Sequence, residues 1–191
     1  SEIVFGLIKK SGVSINPDIA THLYTGIAFD TKLFKFSHPE RALKVCAELV
    51  DFGAGPQAIA ESLFSHQSLE TVKTLGVALS NLSLHFDGQV STLFIDDATF
   101  SLGGDLDTVI DHAMSIQGVK AALFFKEEKP GWHRISLRSR GEVNVNQIAR
   151  KFGGGGHKRA SGCMIEASLE VAQKRLLKEM KQHILDFKRL G

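Results

Sequence analysis

Apolar residues recur at helical spacing through the first eighty positions. Ile19, Ala20, Leu23, Tyr24 and Ile27 share one face of a 3.6-residue repeat, opened by Asn16 as a cap and Pro17 at the first helical position. Ile3, Val4, Leu7 and Ile8 show the same spacing with no cap before them. Ser37-His38-Pro39-Glu40 has the form of a capping box for a helix whose apolar side is Leu43, Val45, Cys46, Leu49 and Val50, stopped by Gly53. Pro56 and Ser68 open two further helices, with Ile59, Ala60, Leu63 and Phe64, then Leu69, Val72, Leu75 and Leu79, expected to face a core.

Near residue 82 the period changes from helical to alternating. Leu82, Leu84 and Phe86 alternate, Asp87-Gly88 is a hairpin signal, and residues 90–95 read as the returning strand. A helix with Leu106, Val109, Ile110, Ala113 and Met114 inward precedes a buried strand over 119–126, and Lys129-Pro130-Gly131 turns the chain back into 133–139. In that strand Ile135 and Leu137 point one way, and Arg134, Ser136 and Arg138 the other. Asn144 with Gln147 resembles the cap of a short helix bearing Val145, Ile148, Ala149 and Phe152; a strand over 163–167 and a long helix from Leu169 end the chain. The pattern predicts a mixed α/β protein, helical over 1–81, followed by a small α/β domain with a mixed sheet over 82–191.

Composition narrows the class. The 191 residues are 43% hydrophobic, enough to bury a core. No run approaches the roughly 18 apolar residues of a membrane span, and SEIVFGLIKK lacks the layout of a signal peptide, so a cytoplasmic protein with no membrane partner is expected. Cys46 and Cys163 are far apart without a CxxC, which points to two buried thiols rather than a metal site or disulfide framework. Residues 120–191 hold 16 Lys/Arg against 7 Asp/Glu, while residues 1–119 hold 7 against 14, so the second half is suited to anionic ligands. Ser1 begins without methionine inside an apparent helix, which is expected of a piece of a longer chain.

The chemically pointed stretch is FGGGGHKRASG, residues 152–162. Gly153, Gly154, Gly155 and Gly156 can bring bare amides close to a ligand, and His157, Lys158, Arg159 and Ser161 follow at once. Amides in a concave turn with adjacent cations suit a phosphate oxygen. Arg138 on the neighbouring strand could clamp the same anion or face solvent. Asp30, between Phe29 and Thr31, would need a partner or a metal in an apolar setting, and otherwise reads as a turn or cap residue.

With SLRS at 136–139 and VNVNQIARKF at 143–152 before it, FGGGGHKRASG resembles the DHH-associated C-terminal domain of the DHH phosphoesterases. TGIAFDTKLFKF at 25–36 resembles that family's last metal motif, GI-x-x-DTG-x-F, with Lys32 where the family has glycine. The nearest subgroup combines nano-RNase activity with phosphatase activity on 3′-phosphoadenosine 5′-phosphate. The resemblance implies that residues 1–81 are the end of a DHH domain plus a helical linker. It makes Asp30 a manganese ligand and, with His157, a catalytic residue, and it makes Arg138, the four glycines, His157, Lys158, Arg159 and Ser161 the substrate clamp. The substrate would be a short single-stranded oligonucleotide or nucleotide phosphate, and a homodimer is compatible with it. The family's earlier Asp motifs and its Asp-His-His motif are absent from these residues; Asp111-His112 is followed by Ala113 on an amphipathic helix. The resemblance therefore implies a chain equipped for substrate recognition and short of ligands for two manganese ions. Glycine-histidine domains also serve as nucleic-acid-binding modules without chemistry, so that alternative stands beside the hydrolase.

Overall fold

A computed structural model describes residues 1–31, 33–34, 39–64, 67–104, 106 and 108–188. The chain divides into two compact units, Ser1–Gln67 and Ser68–Gly191. The first is helical: α1 (Glu2–Ser11), α2 (Pro17–Thr31), α3 (Pro39–Asp51) and α4 (Pro56–Phe64). Asn16 caps α2 as its side chain implies, its Oδ1 accepting from the Ile19 amide at 2.9 Å. Phe5, Leu23, Tyr24, Ile27, Cys46 and Leu49 form the core. Of the apolar residues of α1, Phe5 is buried while Ile3 and Leu7 are 74% and 62% exposed. Lys32, Ser37 and His38 lie outside the described residues, and with them the glycine replacement and the expected capping box.

The second unit opens with α5 (Leu69–Ser80), which the helical pattern alone would assign to the first domain. Ser68 caps it by accepting from the Thr71 amide. Its buried residues are Thr71, Thr74 and Ala78, whereas Leu69 and Val72 are exposed, the reverse of the expected inward face. Close packing explains the reversal. A Cβ on Gly104 would lie 2.7 Å from the Thr71 hydroxyl and 2.8 Å from its Cα, and the Thr74 hydroxyl donates to the Gly103 carbonyl, so small side chains are needed on that face.

Six strands follow: β1 (Ser83–His85), β2 (Val90–Ile95), β3 (Ala121–Lys129), β4 (Trp132–Ser139), β5 (Gly155–His157) and β6 (Ala160–Glu166), in the order β1-β2-β3-β4-β6-β5. Among the described residues only the β2–β3 join is parallel, so the sheet is mixed, as expected of the DHH-associated domain that residues 82–191 resemble. The helices between are α6 (Asp97–Ser101), α7 (Val109–Ser115) and α8 (Val145–Arg150), and α9 (Leu169–Lys188) ends the unit. The first hairpin differs from expectation: Phe86, Asp87 and Gly88 all have positive φ, so Phe86 belongs to the turn and not to β1.

The two faces of the sheet are dressed differently. On one, Leu123, Phe125, Ile135, Leu137, Cys163 and Ile165 pack against Ile148 of α8 and Leu176 and Met180 of α9. On the other, Leu93, Ile95, Ala122 and Phe124 pack against Val109, Ile110 and Ala113 of α7 and Ala78 of α5. That second layer covers β2 and β3. On β4, β6 and β5 the same face carries side chains that are exposed or half-exposed.

Candidate functional site

The register identifies which residues share the open face. Arg138 pairs with Ala160 across β4–β6, and Ala160 pairs with His157 across β6–β5. Directly opposed residues project to the same side. Arg138 and His157 therefore flank Ala160 in a single row, their Cα atoms about 10 Å apart at two strand spacings. Ala160 offers only a methyl between them, so a guanidinium and an imidazole can close on one anion from two sides. The next row holds Ser136, Gly162 and Gly155, and the one beyond it Arg134 and Met164.

The four glycines do different jobs. Gly153 ends α8 in the left-handed conformation at φ 71; its amide donates to the Arg150 carbonyl and the Gly154 amide to the Ala149 carbonyl, the two bonds of a Schellman cap. Those two amides are spent on the helix end, which corrects the expectation that all four glycines present bare amides to a phosphate. A Cβ on Gly154 would lie 2.1 Å from the Gly162 carbonyl oxygen, and one on Gly156 2.5 Å from that of Ala160, so both permit backbone to approach backbone. Gly155 has no such need: a Cβ there meets nothing within 4 Å. Its emptiness faces the open side, beside His157.

The remaining loop residues buttress the hairpin. Ser161 is buried, and its hydroxyl donates to the His157 carbonyl at 2.8 Å, so it lies on the opposite side from Arg138 and holds His157 in place instead of meeting a ligand. The Lys158 ammonium donates to Glu142 at 2.8 Å, and Glu142 is held below the usual carboxylate range first by that bond and charge, then by Arg159. The Lys158 carbonyl accepts from the Val145 amide and that of Arg159 from the Ser139 amide, tying the turn to α8 and β4. Asn144 caps α8 by accepting from the Asn146 and Gln147 amides. Arg159 itself is exposed. Glu142 escapes a reading of the sequence because nothing in its spacing shows that the hairpin folds back over it.

Asp30 sits in the first unit, on the last turn of α2, and is exposed, which corrects the expected apolar setting. It lines a cavity of about 300 Å³ with Ser1, Glu2, Ile27, Thr31 and Arg41, where Glu2 and Arg41 form an ion pair at 3.2 Å. Among the described residues no group of three His, Cys, Asp or Glu side chains could hold a metal ion. A solvated carboxylate beside an arginine does not fit a two-metal centre. No helix among the described residues is long and apolar enough to cross a membrane.

The chain is 30% identical over 187 residues to the bifunctional oligoribonuclease and PAP phosphatase NrnA of Thermus thermophilus, covering 96% of this chain and 56% of the relative. It is 32% identical over 172 residues to the protein of the same name from Bacillus subtilis, covering 86% and 54%. The crystal structure of an exopolyphosphatase-related protein from Bacteroides fragilis matches with a TM-score of 0.84 at 27% identity, over 99% of this chain and 56% of that one. The chain thus spans about half the length of the curated relatives it matches. Residues 87–186, more than half of the 191, match the family model of the DHHA1 domain, and the chain belongs to that family, the DHH-associated domains of the DHH phosphoesterases.

Proposed function

We propose that the second unit holds the substrate of a metal-dependent phosphoesterase that hydrolyses short oligonucleotides or nucleotide phosphates in the cytoplasm. The observation that carries this reading is the row Arg138–Ala160–His157, with the empty position of Gly155 beside it. A phosphate on Ala160 meets a guanidinium fork from β4 and an imidazole from β5, and the ribose can lie against Gly155 without a side chain in the way. The two relatives, named as oligoribonuclease and PAP phosphatase, support a ligand with both a nucleotide and a phosphate.

Manganese, with Asp30 among its ligands, belongs to the same proposal through the resemblance of residues 25–36. Asp30 does not form a metal site with its described neighbours. No catalytic step is assigned to the residues present. In the complete enzyme His157 and Arg138 would orient the phosphate and neutralise its charge, and a homodimer remains part of the proposal.

Calorimetric titration of the 191-residue chain with 3′-phosphoadenosine 5′-phosphate tests the clamp. A charge-assisted hydrogen bond contributes about 1.5–3 kcal/mol, so Arg138→Ala and His157→Ala should each weaken binding by roughly 10- to 100-fold. Binding indifferent to both substitutions would end the assignment. Robust manganese-dependent turnover by this chain alone would show that the account of Asp30 is wrong. The second reading, a nucleic-acid-binding module without chemistry, draws on the exposed cations Arg140, Arg150, Lys174, Arg175, Lys178 and Lys181. It requires affinity that grows with strand length and falls steeply with salt, whereas the clamp binds a mononucleotide bisphosphate as well as a long strand.

A further inference from the structure

Helix α5 buries one face, Thr71, Thr74 and Ala78, in the second unit and carries a further apolar stripe that the unit leaves uncovered. Leu69 is 63% exposed, Val72 50% and Leu79 38%, and Gly76, also exposed, completes the series. Their spacing of three, four and three residues is that of a coiled-coil seam. We propose that this stripe is an interaction surface for a second copy of the chain, joined as an antiparallel pair of α5 helices. Such a seam would build the proposed homodimer and makes no use of Arg138 or His157, so the seam and the clamp can fail independently.

Two features select a second copy as the occupant. A two-fold axis level with Thr74 sets Leu69 on Leu79 of the second copy and Val72 on its Gly76, with the same two contacts repeated in reverse. All four positions thus find their match within one stripe, as a self-complementary interface requires. Gly76 supports the same register. A glycine inside a helix weakens it, and nothing in the unit calls for one here, since a Cβ would meet nothing within 4 Å. Opposite Val72 of a second copy, the missing side chain leaves room that the valine fills.

The seam is short, so the association is weak. The 12 residues of α5, at 1.5 Å each, give a contact about 18 Å long. Two such strips bury less than the roughly 1,200 Å² below which complexes are transient. Antiparallel alignment sets the two helix dipoles against each other favourably. Lys73 works the other way: it flanks the seam one residue from the level of the axis, close to Lys73 of the second copy. Two like charges beside the axis make the pairing sensitive to salt.

The test is sedimentation velocity of the 191-residue chain from micromolar to millimolar concentration, over which monomer should give way to dimer. Val72→Lys, at an exposed side chain, should weaken the dimer about tenfold or more by placing a cation in an apolar seam. Lys73→Gln should tighten it about two- to fivefold and reduce its dependence on salt. The double variant Leu69→Cys/Leu79→Cys should form an intermolecular disulfide on oxidation and neither single variant should, because only the crossed pair comes within the roughly 7 Å that a disulfide spans between Cα atoms. Cys46 and Cys163 are buried and do not compete. Arg138→Ala and His157→Ala should dimerise like the unsubstituted chain. A chain that stays monomeric at millimolar concentration overturns the seam, as does a dimer indifferent to Val72→Lys, a double variant that does not cross-link, or a cross-link formed by either single variant.

Discussion

Replacing Gly154 by alanine should unfold this unit far more readily than replacing Gly155, one position along an otherwise featureless run. The added Cβ at 154 would stand 2.1 Å from the Gly162 carbonyl oxygen, 2.6 Å from the Cys163 Cβ and 2.7 Å from its Cα. Two of those atoms are backbone of β6, which is paired to β4 and cannot retreat without breaking that seam. Overpacking of this kind costs about 1–3 kcal/mol, and the upper end applies where backbone must move. At 155 nothing lies within 4 Å and φ is not left-handed, so alanine there should be neutral or stabilise by up to about 1 kcal/mol through the unfolded chain. Trp132, the single tryptophan, lies at the start of β4 and reports unfolding of this unit by fluorescence. With urea m-values of about 1–3 kcal/mol/M, Gly154→Ala should lower the midpoint by roughly 1–2 M while Gly155→Ala leaves it in place or raises it. Equal midpoints for the two variants, or the reverse order, would refute the division of labour among the glycines.

Asn144→Ala should cost about 1 kcal/mol by removing the cap of α8, and Asn144→Asp should restore most of it, both read in the same urea assay. Glu142→Gln should release Lys158 and raise the affinity for inorganic phosphate about two- to threefold at low salt, an effect that 1 M salt should erase. Burial pushes the thiols of Cys46 and Cys163 up to about 11, so folding favours the neutral form; that contribution is intact below the ordinary thiol pKa of 9.0 and is lost as pH rises from there to about 11. The urea midpoint should fall across that window, less steeply in Cys163→Ala. Asp30→Asn should change stability by less than about 0.5 kcal/mol because the side chain is exposed; a larger fall would mean that the carboxylate is structurally engaged.

The elements legible in the sequence are those whose signals are local. Asn16-Pro17, Ser68 and Asn144 announce helix starts through short hydrogen bonds, and the alternation about Ile135 and Leu137 assigns both faces of β4 correctly. What escapes depends on partners far along the chain. Hydrophobicity misplaces the inward face of α5 because tight packing against Gly104 overrides it. The short helix α6, capped by Asp96, goes unseen since five residues carry too little periodicity. The pattern starts β6 at residue 163 and not 160, because Ser161 and Gly162 read as loop until β5 pairs with them. In the site, residue types point to phosphate, but which glycines are occupied by structure and which is empty requires the register.

The sheet contains three hairpins that close within a few residues, β1–β2, β3–β4 and β5–β6, and two seams that join distant segments, β2–β3 and β4–β6. The row that would grip a phosphate crosses the second seam: Arg138 and Ala160 are 22 residues apart, with α8 and β5 between them. A chain with every hairpin formed and this seam open would have all the local structure and no grip. On the proposed clamp, ligand affinity would report the longest-range antiparallel closure of this unit. A bound nucleotide would brace that closure first, the hairpins only through it.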